Sequence, residues 1–240
     1  MRIALIGYGK MGKSIEQIAR TRGHQISYII DQDNHSDIQK ISPDNTDIAI
    51  EFSQPSSAFD NITTLLSNKV KTMAGTTGWL DRYDEVKALC TRTNGTFLYA
   101  SNYSVGVNLF FELNEWLAKK MSQLEDFVPE MVEIHHTEKK DAPSGTAITL
   151  AEGIQKNDPS VKKWVNESSE DHHTLGIISK REANVPGTHT VTYRSPLETI
   201  EITHVAHDRK VFAEGVIKVA EWATNQTGIL SIREFLNNQS

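Results

Sequence analysis

A glycine-rich turn near the start of the chain restricts its fold more than any other feature. Gly7-Tyr8-Gly9-Lys10-Met11-Gly12 follows the apolar run 3–6 and opens a segment, 10–22, with helical spacing. A GxGxxG in that setting is a strand–turn–helix junction. Its first glycine permits the tight turn, its second lets the backbone approach a pyrophosphate, and its third lets helix and strand pack closely. The amides and dipole at the helix start then suit phosphate. Alone the pattern is weak. Its weight comes from Asp31, which ends the next apolar run, 26–30, at the spacing (~20 residues on) of an acid that accepts ribose hydroxyls. Asp31 would repel a ribose 2′-phosphate, which favours NADH, while Lys10 and Lys13 leave NADPH open.

The alternation begun there continues. Strand-like runs at 47–52, 70–74 and 96–100 are separated by helical patterns at 56–68 and 81–93. This βαβα order predicts an α/β fold, a doubly wound parallel sheet with helices on its faces. From Ser104 the pattern changes. Residues 105–121 read as one long amphipathic helix, 127–136 as a strand and 144–156 as a helix, followed by a polar stretch, 157–173, without clear period. Three β-rich runs at 174–180, 188–194 and 199–205 are separated by turn signals at Pro186-Gly187 and Ser195-Pro196, which predicts antiparallel pairing among them. Residues 209–224 are helical again. The chain therefore divides into a doubly wound half and a smaller α+β half, and the last helix could return to either.

Charge narrows the partners. Twenty-five basic and 31 acidic residues give a net charge of −6, with no block of five like charges. Nucleic-acid binders present a basic stripe to the phosphate backbone, so a small-molecule partner is expected instead. The longest apolar runs span a few residues, far short of the ~20 that cross a bilayer. The N-terminal segment turns directly into the glycine motif where a secretory signal would extend its apolar stretch. The single cysteine, Cys90, excludes an intrachain disulfide framework. A cytoplasmic protein is the expectation.

Three further loops follow predicted strands, at the ends where open α/β sheets bind ligands. They are Phe52-Ser53-Gln54-Pro55, Gly75-Thr76-Thr77-Gly78 and Ala100-Ser101-Asn102-Tyr103. Each alone reads as turn chemistry; three on one rim suit a cofactor's ribose or nicotinamide. The second half carries the run from Glu133 to Ala147. Strand alternation puts His135 on one face with Glu133 and sends His136 to the other. Lys139 stands in a polar loop, and Pro143-Ser144-Gly145-Thr146 opens a helix. The amides of that helix start, the Thr146 hydroxyl and the Lys139 ammonium would hold a carboxylate, and a histidine exchanges protons near neutral pH. Adjacent histidines diverge on a strand and HExxH spacing is absent, so no metal is expected.

These residues carry a family resemblance. The GxGxxG start, the Gly75–Gly78 loop, the run from Ser101 to Asn108 and the HHxxKxDAPSGTA segment from His135 resemble dihydrodipicolinate reductases, the 4-hydroxy-tetrahydrodipicolinate reductases of the diaminopimelate route to lysine. The resemblance extends over almost the whole chain, through the Ile200–His204 strand to the Trp222 helix. It implies a Rossmann-like dinucleotide-binding domain, 1–103 with 208–240. It also implies a substrate-binding domain, 104–207, whose mixed sheet builds a homotetramer. His135 would be the proton donor and acceptor and Lys139 the other acid, while His136, Gly145 and Thr146 hold a dicarboxylate substrate. Gly7 to Gly12, Asp31, Phe52, Gly75 to Thr77, and Ala100, Ser101, Asn102 and Tyr103 would line an NADH or NADPH site. The chain departs from the family in its shorter first loop, in Gln54 where many members carry a basic residue, and in 181–184, which replaces a more glycine-rich turn.

Other candidates read as structural. Cys90 lies inside a helical pattern, away from a base that would activate it. His172 and His173 fall in the polar stretch and read as solvated. His189 and His204 sit on strands, facing either substrate or a subunit interface, and Trp116 and Trp222 lie on amphipathic helices. Another imine-forming amino-acid dehydrogenase would explain the first half but not the run from His135 to Thr146. A non-catalytic dinucleotide sensor would need a DNA-reading element that the sequence does not show.

Overall fold

The fold is given by a computed structural model that describes residues 1–124, 126–171 and 173–238. His172, read above as solvated, lies outside the described residues. The chain forms two compact units. One comprises Met1–Val105 with the C-terminal segment from Lys210 onward, and the other Gly106–Arg209.

The first unit is built on six parallel strands: β1 (Arg2–Ile6), β2 (Gln25–Ile30), β3 (Ile48–Glu51), β4 (Thr72–Ala74), β5 (Thr96–Tyr99) and β11 (Gly228–Leu230). They are ordered β11-β5-β4-β3-β1-β2. β3 is buried throughout and β1 at four of five positions, as strands covered on both faces require. α1 (Lys10–Thr21), α2 (Pro55–Ser67) and α3 (Tyr83–Arg92) make the crossovers. Pro55 starts α2, where its missing N–H costs no helical bond. α6 (Lys210–Ala223) joins this unit: Val216, Ile217 and Ala220 share one core with Ile3, Leu5, Ile15, Ile50 and Met73. Gly215 lets the helix approach closely, since a Cβ there would lie 1.8 Å from the Tyr103 carbonyl oxygen. β11 and α7 (Ile232–Asn237) are additions that the sequence pattern did not announce.

The second unit contains α4 (Val105–Met121, its first residue in the other unit), β6 (Val128–His135), α5 (Gly145–Asn157), β7 (Lys163–Val165), β8 (Thr174–Arg181), β9 (Gly187–Arg194) and β10 (Thr199–Ala206). Its mixed sheet runs β10-β9-β6-β8-β7. Here the expectation of antiparallel pairing among the last three strands is corrected. Only β9 and β10 pair so; β8 lies parallel to β6, which separates it from β9. The cause is α5, whose buried face of Ala147, Leu150, Ala151 and Ile154 packs with Met131, Leu175, Ile177 and Val191 of the sheet. A strand–helix–strand crossover returns the chain in its original direction, and that imposes parallel pairing. The polar stretch 157–173 is also corrected, because it includes β7. Among the described residues no helix is long and apolar enough to cross a membrane.

Candidate active site

In the first unit the loops after β1, β2 and β3 surround a cleft of about 580 Å³. Gly7 takes φ +92°, and a Cβ there would meet the Phe52 carbonyl oxygen at 2.1 Å; a Cβ on Gly12 would meet the Gly7 oxygen at 2.4 Å. The protein's own packing demands these two glycines. Gly9 differs: a Cβ there would have no neighbour within 4 Å, and no side chain caps the amides of α1. The middle glycine thus keeps open space before unsatisfied helix amides, a cradle that fits a dinucleotide's pyrophosphate.

Gly7, Tyr8, Gly9, Asp31 and Phe52 line the cleft, with Ser53, Gln54, His35 and Asn61. Asp31 accepts from Gln32 N at 2.9 Å and caps the short 3₁₀ helix Gln32–Lys40. Lys10 is exposed at the start of α1, Met11 is half-buried, and Gly12 is buried. The remaining rim residues have structural contacts of their own. Gly75 lies against the Phe52 ring. Thr76 Oγ1 accepts from Ser53 N at 2.9 Å, whereas Thr77 and Ser101 are exposed and Ala100 and Asn102 half-buried. Tyr103 is buried, its ring 5.9 Å from that of Phe52 and its hydroxyl donating to the Ala74 carbonyl. Beneath the rim lies an acid that sequence reasoning missed. Glu51, wholly buried, accepts from Ser53 N; Asn61 donates to Ser53 Oγ, and His35 bonds Asn61. Burial pushes the Glu51 carboxyl up.

In the second unit β6 places Glu133 and His135 on one interior face, and His135 Nδ1 lies 2.9 Å from Glu133 Oε2. The neighbouring strands complete the cluster by register. His189 of β9 is opposite Glu133, and Arg181 of β8 is opposite His135. Both Arg181 Nη atoms donate to Glu133 Oε1 at 3.2 Å. Ser144, the cap of α5, donates its N–H to the same oxygen, and its Oγ lies 3.1 Å from His189 Nε2. Burial alone would raise the Glu133 carboxyl, but contacts with His135, Ser144 and Ser179 outweigh it and hold the group well below the usual carboxylate range. Lys139 Nζ pairs with Asp141 at 2.8 Å. His136 turns away to a separate cleft of about 430 Å³ that Arg209 and His207 also line. Gly145 is exposed, with no atom within 4 Å of a would-be Cβ, so the start of α5 is open to a ligand. Among the described residues Glu133, His135 and His189 have ligand atoms within 4.8 Å of one another, and Arg181 already pairs with the other oxygen of the same carboxylate. Arg181 was not a candidate from sequence, and His189 was weighed only as facing either substrate or a subunit interface; strand register brings both here.

Burial and the nearby His135 pull His189 down to about 3, so the folded form keeps it neutral. The unfolded chain protonates it below about pH 6.5. Stability is therefore expected to fall as pH drops from 6.5 to 4.5, with His189 contributing up to ~1.4 kcal/mol per unit. Glu133, held ionised, adds its own loss only at lower pH. Urea unfolding of His189→Gln should show a flatter slope over this window; an unchanged slope contradicts the assignment.

Comparisons with known proteins agree with this architecture. The family model for the dihydrodipicolinate reductase N-terminus matches residues 1–103, and that for its C-terminus matches 106–236. A 4-hydroxy-tetrahydrodipicolinate reductase of Christiangramia forsetii is 46% identical over 99% of this chain and 98% of its own. One from Methanoregula boonei is 34% identical over 79% of this chain and 74% of its own. Among solved structures, dipicolinate-bound dihydrodipicolinate reductase from Paenisporosarcina sp. TG-14 shares the fold, with a TM-score of 0.76 at 19% identity, covering 96% of this chain and 97% of that one. With matches to both halves and a full-length relative, the chain belongs to the dihydrodipicolinate reductase family.

Proposed function

We propose that the chain reduces 4-hydroxy-tetrahydrodipicolinate, by way of dihydrodipicolinate, to tetrahydrodipicolinate. Family membership makes it an NAD(P)H-dependent oxidoreductase of diaminopimelate and lysine biosynthesis. The observation that carries the reading is the buried Glu133–His135 pair with Lys139 and the open start of α5 in one unit. When bound, the dinucleotide supplies the hydride. Gly7, Tyr8, Gly9, Lys10, Met11 and Gly12 would hold its pyrophosphate, and Asp31 its adenosine ribose. Phe52, Gly75, Thr76, Thr77 and the loop Ala100, Ser101, Asn102, Tyr103 would shape the rest of the rim. Lys139 and the Gly145 and Thr146 amides would clamp one substrate carboxylate, and His136, on the cleft it shares with Arg209, would hold the substrate from that side. A His135 imidazolium or the Lys139 ammonium would give the proton that meets negative charge developing on the ring. The test follows NADH oxidation at 340 nm with substrate generated from aspartate semialdehyde and pyruvate by the preceding synthase. Turnover is expected there and not with oxaloacetate plus ammonia; no turnover overturns the reading.

NADH should serve at least as well as NADPH, because the exposed Asp31 carboxylate lines the cleft. Asp31→Ala should weaken NADH more than NADPH, read as the ratio of KM values. A wild-type preference above about tenfold for NADPH, or ~1.4 kcal/mol, contradicts this.

The second unit also exposes apolar surface. Ile178, Ile200 and Val205 of its sheet and Leu109, Leu113 and Trp116 along α4 are more than a third accessible, as an assembly interface requires. A cytoplasmic homotetramer near four times 26.9 kDa is the expected form. A monomer by light scattering at micromolar concentration would contradict it.

A further inference from the structure

We propose that Glu133 and Arg181 form a positioning pair that sets the His135 ring and the Lys139 loop in one fixed arrangement. The inference rests on the reading of His135 and Lys139 as the proton-donating groups. Glu133 is wholly buried, with one oxygen 2.9 Å from His135 Nδ1 and the other taken by Arg181 and by Ser144 N. The guanidinium does not stop there. Its Nη2 donates to the Asp141 carbonyl at 2.6 Å and its Nε to the Lys139 carbonyl at 3.3 Å. One side chain therefore ties the carboxylate behind the imidazole to the backbone of the loop that carries the lysine. On the ring's other side a Cβ at Gly187 would come within 3.1 Å of His135 Nε2, so the glycine there leaves that nitrogen room.

Stability gives little reason for such an arrangement, since an apolar pair of similar volume often serves a core as well as a buried ion pair. Catalysis gives one. The carboxylate 2.9 Å from Nδ1 fixes the orientation of the ring and presents Nε2 outward, towards the room left at Gly187. The titratable and charged groups around the ring are Glu133 on β6, Arg181 on β8, His189 on β9, and His136, Lys139 and Asp141 in the adjoining loop.

The test compares Glu133→Gln, Arg181→Lys and the double variant Glu133→Gln/Arg181→Met with wild type, by kcat, KM and the thermal midpoint. Glu133→Gln should lower kcat by about 10²-fold with KM little changed. Arg181→Lys keeps the charge and loses the fork, so kcat should fall about tenfold. The double variant removes both charges together; its thermal midpoint should recover towards wild type while kcat stays low. Recovery of kcat along with stability, or a Glu133→Gln enzyme with more than half the wild-type kcat, overturns the pair. His135→Gln, run alongside, separates two failures. If it keeps wild-type kcat, the reading of the site has failed and the pair with it. If it loses kcat while Glu133→Gln and Arg181→Lys keep theirs, only the pair is overturned.

Discussion

His135→Gln is expected to lower kcat by about 10²–10⁴-fold, the usual worth of a general acid, with a modest change in KM. The ring is 8% exposed and sits against a carboxylate, so the amide fills its place without a large void but has no proton to give. Lys139→Ala should lower kcat comparably and also raise KM, because it removes a positive charge that a bound dicarboxylate needs. In the free protein that charge is balanced by Asp141, whose own carboxyl is held down chiefly by the lysine. NADH affinity should be nearly unchanged in both, since neither residue belongs to the unit that carries the glycine turn. Steady-state kinetics with tryptophan-fluorescence titration of NADH would check all three expectations. Folded variants that both keep more than half the wild-type kcat would remove the catalytic centre from this segment.

The second large effect separates glycines that the fold needs from the one that a ligand needs. Gly7→Ala forces a side chain into positive φ and drives a Cβ to 2.1 Å from a main-chain oxygen that belongs to the next sheet loop. A loss on the order of 3 kcal/mol or more is expected. Gly9→Ala meets nothing within 4 Å, so its cost is that of a poorer N-cap, about 1 kcal/mol. Its Cβ would nevertheless occupy the space before the α1 amides, and NADH affinity should drop at least about tenfold, or ~1.4 kcal/mol. Urea unfolding and NADH titration of the two variants test the division. Equal stability losses, or unchanged NADH binding in Gly9→Ala, would contradict it.

The parallel sheet was legible because its strands are apolar on both faces, while the glycine turn marks the first strand–helix junction without reference to anything distant. α4 was legible over its full span, Val105–Met121, because seventeen residues give the helical period time to show. β7 and β11 were not, since each is three residues long and, unlike β4, lies outside the regular strand–helix alternation. The parallel pairing of β6 with β8 was hidden for another reason: it depends on α5 packing across the sheet, a tertiary choice that turn residues near Pro186 do not report. The site divides the same way. Glu133, His135 and Lys139 share one short run, whereas Arg181 and His189 arrive through register with strands more than forty residues away in sequence. The contacts of Tyr103 were not legible from its place in a loop. Its ring finds Phe52 and its hydroxyl finds the Ala74 carbonyl, so it braces the rim from within.

Hydride from a nicotinamide cofactor and a proton from an enzymic acid are expected to reduce a ring bearing two carboxylates. Isotope transfer tests it most directly. The reaction is run once with 4-deuterated NADH in ordinary water and once with ordinary NADH in heavy water, using the synthase-generated substrate, and the product is read by mass spectrometry and NMR. One deuterium at a ring carbon from the deuterated cofactor, and a separate solvent-derived deuterium in the second experiment, are predicted. A reduced product without cofactor deuterium, from either face of the nicotinamide, would contradict the account.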